Sequence, residues 1–239
     1  MNVLRGEGPP IRVGHRGAAA LAPENTLEAL RAGIAQGCDY VEFDVLSDPG
    51  GALVLAHSAH ELPEDVASFD DALALLATEG VGAHVDLKER GLEQAVGDAL
   101  REHDLLERSL VSSLDWVALR DLRRYEPALR VGLSYPEDRY GLSGRRTFAP
   151  LLTGGLAAMK RALPRLIGRW LDRAAASAAV VHRQLVTPSL IRACHRRGAA
   201  VWAWTVNDPS EAGLLVEWGA DAIISDDPRI LGPSKRSSI

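Results

Sequence analysis

Ile11-Arg12-Val13-Gly14-His15-Arg16-Gly17 is the stretch that decides the fold class. An apolar run stops abruptly at an imidazole and a guanidinium, with a glycine on either side. Glycine lets a backbone turn sharply and pass close to a ligand. His15 can exchange a proton near neutral pH. Arg16 carries a planar fork of donors that matches a pair of anionic oxygens. A strand that ends this way predicts chemistry at the C-terminal ends of strands, and later parts of the chain repeat the arrangement.

Downstream, Pro23-Glu24-Asn25-Thr26 precedes Leu27, Leu30 and Ile34 at helical spacing. Asn25 is the expected N-cap, with Glu28 as its capping-box partner. Gly37 should end this helix, and residues 40–45 read as the second strand. The turn Asp48-Pro49-Gly50-Gly51 leads to an extra extended piece ending in His57. Further strands are expected over residues 81–88, 109–113, 129–135, 178–182, 200–205 and 221–225. Helices are expected between them, over 69–78, 92–103, from Asp115 onward, over 150–176 with interruptions, 188–197 and 209–218. Strands joined through helices run parallel. Eight such units predict a (β/α)8 TIM barrel, with an open doubly wound sheet as the alternative. No composition break divides the chain, so residues 1–239 are expected to form one domain, with 232–239 a flexible tail.

Composition is that of an ordinary globular protein, 46% apolar and 25% charged. The net charge of −5 gives no global attraction to nucleic acid. Two distant cysteines, Cys38 and Cys194, suggest neither a disulfide framework nor a structural zinc site. The first ten residues lack the apolar centre of a signal peptide, and a cytoplasmic location is expected.

In a barrel, working residues stand at the C-terminal strand ends. His15 and Arg16 end the first strand, Glu42 and Asp44 lie on the second, and His57 ends the extra piece. Asp86 and Lys88 end the third barrel strand, Trp204 the seventh, shortly before Asn207, and Asp226 follows the eighth. Side chains at i and i+2 share a strand face, so Glu42 pairs with Asp44, and Asp86 with Lys88. Crowded carboxylates repel unless a cation sits between them. Glu42, Asp44 and Asp86 therefore make a site for a hard divalent ion, Mg²⁺ or Ca²⁺. Without metal they must be protonated or paired with Lys88 or Arg16.

The ordered set His15-Arg16-Gly17, Pro23-Glu24-Asn25-Thr26, Glu42-Phe43-Asp44, His57, Asp86-Leu87-Lys88, Trp204-Thr205-Val206-Asn207 and Asp226-Asp227-Pro228 resembles the glycerophosphodiester phosphodiesterases over nearly the whole chain. The resemblance implies a TIM barrel that hydrolyses glycerophosphodiesters to an alcohol and glycerol 3-phosphate, usually with a divalent metal. It implies His15 and His57 as the acid/base pair, and Glu42, Asp44 and Asp86 as metal ligands. Arg16 and Lys88 would hold the phosphate, and Trp204 would pack on glycerol carbons. Glu24, Asn207 and Asp226 would support these groups. Glu24 would orient Arg16, lie near the metal or simply favour the helix start.

The sequence departs from that family at three points. Asp86 replaces the usual Glu, Ser58 replaces the Asp that follows the second histidine, and the insertion between His57 and Phe69 is short. The short insertion predicts an open pocket. Residues 145–173 hold seven basic residues against one acid, Asp172, with an apolar face at helical spacing. Such a helix either contacts an anionic membrane surface or packs its apolar face on the barrel. Pro164 is expected to kink or restart it. Two other functions fit the residues: a phosphodiesterase for a bulkier lysophospholipid, and a non-catalytic phosphate-binding barrel.

Overall fold

The computed structural model describes residues 3–59, 62–63, 65–136 and 149–232; the tail expected after 232 lies outside them, as do Arg145 and Arg146. The strands are β1 (Ile11–Gly14), β2 (Tyr40–Ser47), β3 (Leu53–Leu55), β4 (Gly82–Leu87), β5 (Ser109–Ser113), β6 (Arg130–Tyr135), β7 (Ala178–His182), β8 (Ala200–Trp204) and β9 (Ala222–Ser225). The helices are α1 (Leu27–Ala35), α2 (Phe69–Glu79), α3 (Glu93–Glu102), α4 (Trp116–Tyr125), α5 (Ala149–Ala174), α6 (Pro188–His195) and α7 (Pro209–Trp218). A short 3₁₀ turn, Pro228–Leu231, follows β9 where an eighth helix would stand.

Eight strands pair in parallel, and β1 bonds to both β2 and β9, so the sheet closes on itself. The expected (β/α)8 barrel is the fold. The extra piece before His57 is β3, which runs antiparallel to β2 and stays outside the barrel. Closure follows from strand alternation. On β2, Val41, Phe43 and Val45 face the helices and join the outer core. Tyr40 faces inward with Val13, Leu110, Val180, Trp202 and Ile224. Trp202 plugs the barrel interior, stacked edge-on against Tyr40 and His84, both at 5.1 Å, and its indole N–H donates to the Val3 carbonyl.

Helix α1 shows why local capping rules misplace one residue. Its N-cap is Thr26, whose hydroxyl accepts from the Ala29 amide, and not Asn25. Asn25 takes a left-handed backbone, φ +57, and turns its side chain to Asp44. Pro164 lies within α5 without ending it. There Leu163, Ile167 and Leu171 are buried in the core, while Lys160, Arg161, Arg165, Arg169 and Arg173 are exposed.

The turn after β1 needs glycine. Gly17 has φ +93, and a Cβ there would come within 2.4 Å of the Ala29 backbone. Gly51 also has a positive φ, +87, but open space around it. Gly17→Ala should therefore destabilise the fold by about 2–4 kcal/mol, combining backbone strain with a clash against a packed helix. Gly51→Ala should cost only about 1 kcal/mol. Thermal melts of the two variants check this, and equal losses would contradict it.

Candidate active site

The register of three neighbouring strands builds the site. Asp44 stands opposite Asp86, and Asp86 opposite Ser112, so β2, β4 and β5 bring these groups abreast at one rim. Glu42 and His84 form the layer below. Oxygens of Glu42, Asp44 and Asp86 lie within 4.8 Å of one another. They line a cavity of about 410 Å³ with His15, Arg16, His57, His84, Lys88, Ser112, Leu114, Ser134, Val180 and Trp204.

Asp44 is the hub. It is almost fully buried, 1% exposed. Its Oδ1 meets Lys88 Nζ at 2.6 Å. Its Oδ2 accepts from Asn25 Nδ2 at 3.0 Å and faces His57 Nδ1 at 3.1 Å. The Asn25 side chain returns the contact by accepting from the Asp44 amide, so the two residues form a closed pair. Arg16 Nε lies 3.1 Å from Oδ2 as an ion contact without a directed hydrogen bond. Burial alone would raise the pKa of this carboxyl. The His57 hydrogen bond and the Lys88 and Arg16 charges outweigh it and hold Asp44 far below the usual carboxylate range.

Arg16 and Lys88 are thus bound to protein acids. Arg16 Nη1 also donates to Glu24 Oε1 at 2.7 Å, so of the three expectations for Glu24 the structure favours orientation of Arg16. Lys88 bridges Asp44 and Asp86. His57 has a divided setting, because Arg16 Nη2 also lies 3.0 Å from Nδ1. Arginine only donates and a carboxylate only accepts. A protonated Nδ1 bonds Asp44, and a bare Nδ1 accepts from Arg16. The carboxylate missing at Ser58 is therefore supplied by Asp44 from β2.

His15 is held from the opposite side. Its Nδ1 lies 2.6 Å from Asp226 Oδ1, and Asn207 Nδ2 donates to the other Asp226 oxygen. This orients Nε2 toward Glu42, 3.9 Å away. Burial would lower the His15 pKa, but Glu42 and Asp226 outweigh it and raise it. Glu42 accepts from the Arg16 amide at 2.7 Å, a contact made possible by the left-handed Arg16 backbone, φ +46. Burial, with Asp44 and Asp86 nearby, still pushes the Glu42 carboxyl up to about 7.

Sequence reasoning assigned a role to neither His84 nor Ser112. Ser112 Oγ donates to Asp86 Oδ1 at 2.8 Å, and His84 Nε2 lies 2.9 Å from the same hydroxyl. The hydroxyl has one proton, so His84 Nε2–H must be the donor to it. Burial pushes His84 down to about 4, which keeps it neutral. The i, i+2 parity with Asp86 was the available signal. Ser113, at the end of β5, donates to the Leu87 carbonyl and accepts from the Asp115 amide. Trp204 reaches the cavity, anchored by its indole N–H on the Val180 carbonyl, and His182 packs edge-on against it.

The donor set fits a hard divalent cation. Three carboxylates converge, one of them poorly stable as an anion, and the nearest positive charge is the Lys88 ammonium. The pH dependence carries a sign. Glu42 and His15 bind protons more tightly folded than unfolded, so their contribution is complete below the unfolded pKa and lost as pH rises through the folded one. Asp44 and Asp226 act oppositely, and their contribution is lost only as pH falls below the ordinary carboxylate range. In EDTA the melting temperature should fall between about pH 5 and pH 8. Glu42→Gln should remove most of that fall, and saturating Mg²⁺ or Ca²⁺ should reverse it in the parent. A melting temperature independent of pH and metal would contradict the assignment.

The model of the glycerophosphoryl diester phosphodiesterase family matches residues 15–140 and 83–230. A glycerophosphodiester phosphodiesterase of Caldanaerobacter subterraneus is 22% identical, covering 92% of this chain and 95% of its own. A mouse lysophospholipase D is 24% identical over 93% of this chain and 81% of its own. Among solved structures, a putative glycerophosphoryl diester phosphodiesterase of Silicibacter pomeroyi superposes with a TM-score of 0.74 at 23% identity, covering 96% of this chain and 97% of that one. An Oleispira antarctica phosphodiesterase, solved with sn-glycerol-3-phosphate, gives 0.73 at 22% identity, covering 93% and 95%. With a family match running through both histidines, all three acids and the final strands, the chain belongs to the glycerophosphoryl diester phosphodiesterase family.

Proposed function

We propose that this protein hydrolyses glycerophosphodiesters to an alcohol and glycerol 3-phosphate, with His15 and His57 exchanging protons beside a divalent ion. The observation that carries the reading is the convergence of both imidazoles with three carboxylates in one cavity at the barrel mouth. The product bound to the Oleispira antarctica protein is the one this reading assigns. Glu42, Asp44 and Asp86 would hold the ion, Mg²⁺ or Ca²⁺. When bound, it would neutralise charge developing on the phosphoryl oxygens.

The side chains divide the remaining work. Asp226 fixes Nδ1–H of His15, which leaves Nε2 to give or take a proton at the phosphoryl group. His57 is the second proton carrier, with its Nδ1 facing both Asp44 and Arg16. A bound phosphate would compete with the carboxylates for Arg16 and Lys88, and so draw both cations toward the reacting centre. Trp204 offers an apolar wall for glycerol carbons. The exposed arginine row of α5 suits contact with anionic lipid, held by charge alone because the apolar face of the helix is buried in the core.

His15→Ala and His57→Ala should each lower kcat on glycerophosphocholine by about a hundredfold or more, with KM changed little. Steady-state assays with and without EDTA measure this. Turnover near that of the parent in both variants would refute the proton-transfer roles.

A further inference from the structure

We propose that an apolar cleft beside the catalytic mouth is a subsite for the acyl chain of a monoacyl glycerophosphodiester, a reading that rests on diester hydrolysis at the main site. Leu114, Trp116, Leu133, Tyr135 and Trp170 line this second cavity, of about 210 Å³, with Ser134 and Arg173 at its edge. Leu114 and Ser134 also line the catalytic cavity, so the two share a wall. Leu114 follows two residues after Ser112, whose hydroxyl holds Asp86. Two residues of chain span at most about 7 Å, so the cleft opens within one glycerol length of the charged cluster.

The lining is unusual for the rim of a barrel whose mouth is charged. Leu114 is 44% and Trp116 40% exposed. They flank Asp115, which caps α4 by accepting from the Val117 amide. The cap requires Asp115 and leaves its neighbours free to be polar. Tyr135 and Trp170, with ring centres 5.2 Å apart, form the opposite wall. Among the described residues, no acidic side chain lines the cleft. A choline or glycerol alcohol would gain little from these surfaces, whereas a run of methylenes would be withdrawn from water. The proton carriers follow β1 and β3 and the acids lie on β2 and β4, whereas the cleft is built from the turn after β5, the start of α4, β6 and α5. A diester with its phosphate on the charged side can lay a chain borne on glycerol across the Leu114 lip.

The test compares kcat/KM for glycerophosphocholine with its acetyl, butyryl, hexanoyl and octanoyl monoesters, all kept monomeric. The subsite predicts a rise of up to about fourfold per methylene until the cleft fills. Trp116→Ala should cut the octanoyl-to-unacylated ratio at least about tenfold, and Trp116→Phe should keep most of it. Glycerophosphocholine cleavage with no chain-length gain, or a gain untouched by Trp116→Ala, would overturn the subsite and leave the main site standing. Absence of turnover on every diester would overturn both.

Discussion

Three carboxylates within 4.8 Å of one another at the mouth of a closed barrel set the terms for the rest of the molecule. At an effective dielectric near 20, each pair of full charges at that separation repels by about 3 kcal/mol. The fold answers each charge separately. Asp44 receives Lys88, Arg16, His57 and the Asn25 amide group. Asp86 receives Lys88 and the Ser112 hydroxyl. Glu42 has the Arg16 amide and a more distant His15, and it is the one left poised to hold a proton. A site that pairs two acids with a lysine and leaves the third without one is suited to a cation that comes and goes.

The barrel meets this constraint through register and through one strained turn. Parallel pairing sets Asp44, Asp86 and Ser112 level, while Phe43, Val45, Val85 and Leu87 on the same strands anchor the opposite face in the helix layer. Inward charge therefore costs no outer packing. Arg16 and Gly17 in succession take positive φ, which turns the Arg16 amide onto Glu42 while its guanidinium reaches Asp44. A non-glycine residue in that region costs on the order of 1–3 kcal/mol. Here it lets a single residue serve two acids. Below the site, neutral His84 and buried Trp202 fill the barrel and support Asp86 through Ser112.

Much of this was legible in the chain. Strand periodicity and the polar residues at strand ends gave the barrel, the acid cluster and both histidines, because each signal is local. Asn25 was misread because capping rules look three residues ahead, whereas its partner Asp44 lies 19 residues away. Pairing of the acids with Lys88 or Arg16 was the metal-free alternative read from the chain, but which acid meets which cation depends on strand register. His84 could have been found from its parity with Asp86. The cleft could not, since Leu114, Tyr135 and Trp170 meet only through packing of β5, β6 and α5.

The central claim is that Glu42, Asp44 and Asp86 form one cation seat that Lys88 presently shares. The direct measurement is a crystal structure with Mn²⁺, read by anomalous scattering. The account predicts a single strong peak bounded by all three carboxylates, with the Lys88 ammonium withdrawn from the Asp44–Asp86 bridge. A map with no peak there, and Lys88 still bridging the two acids, would contradict it.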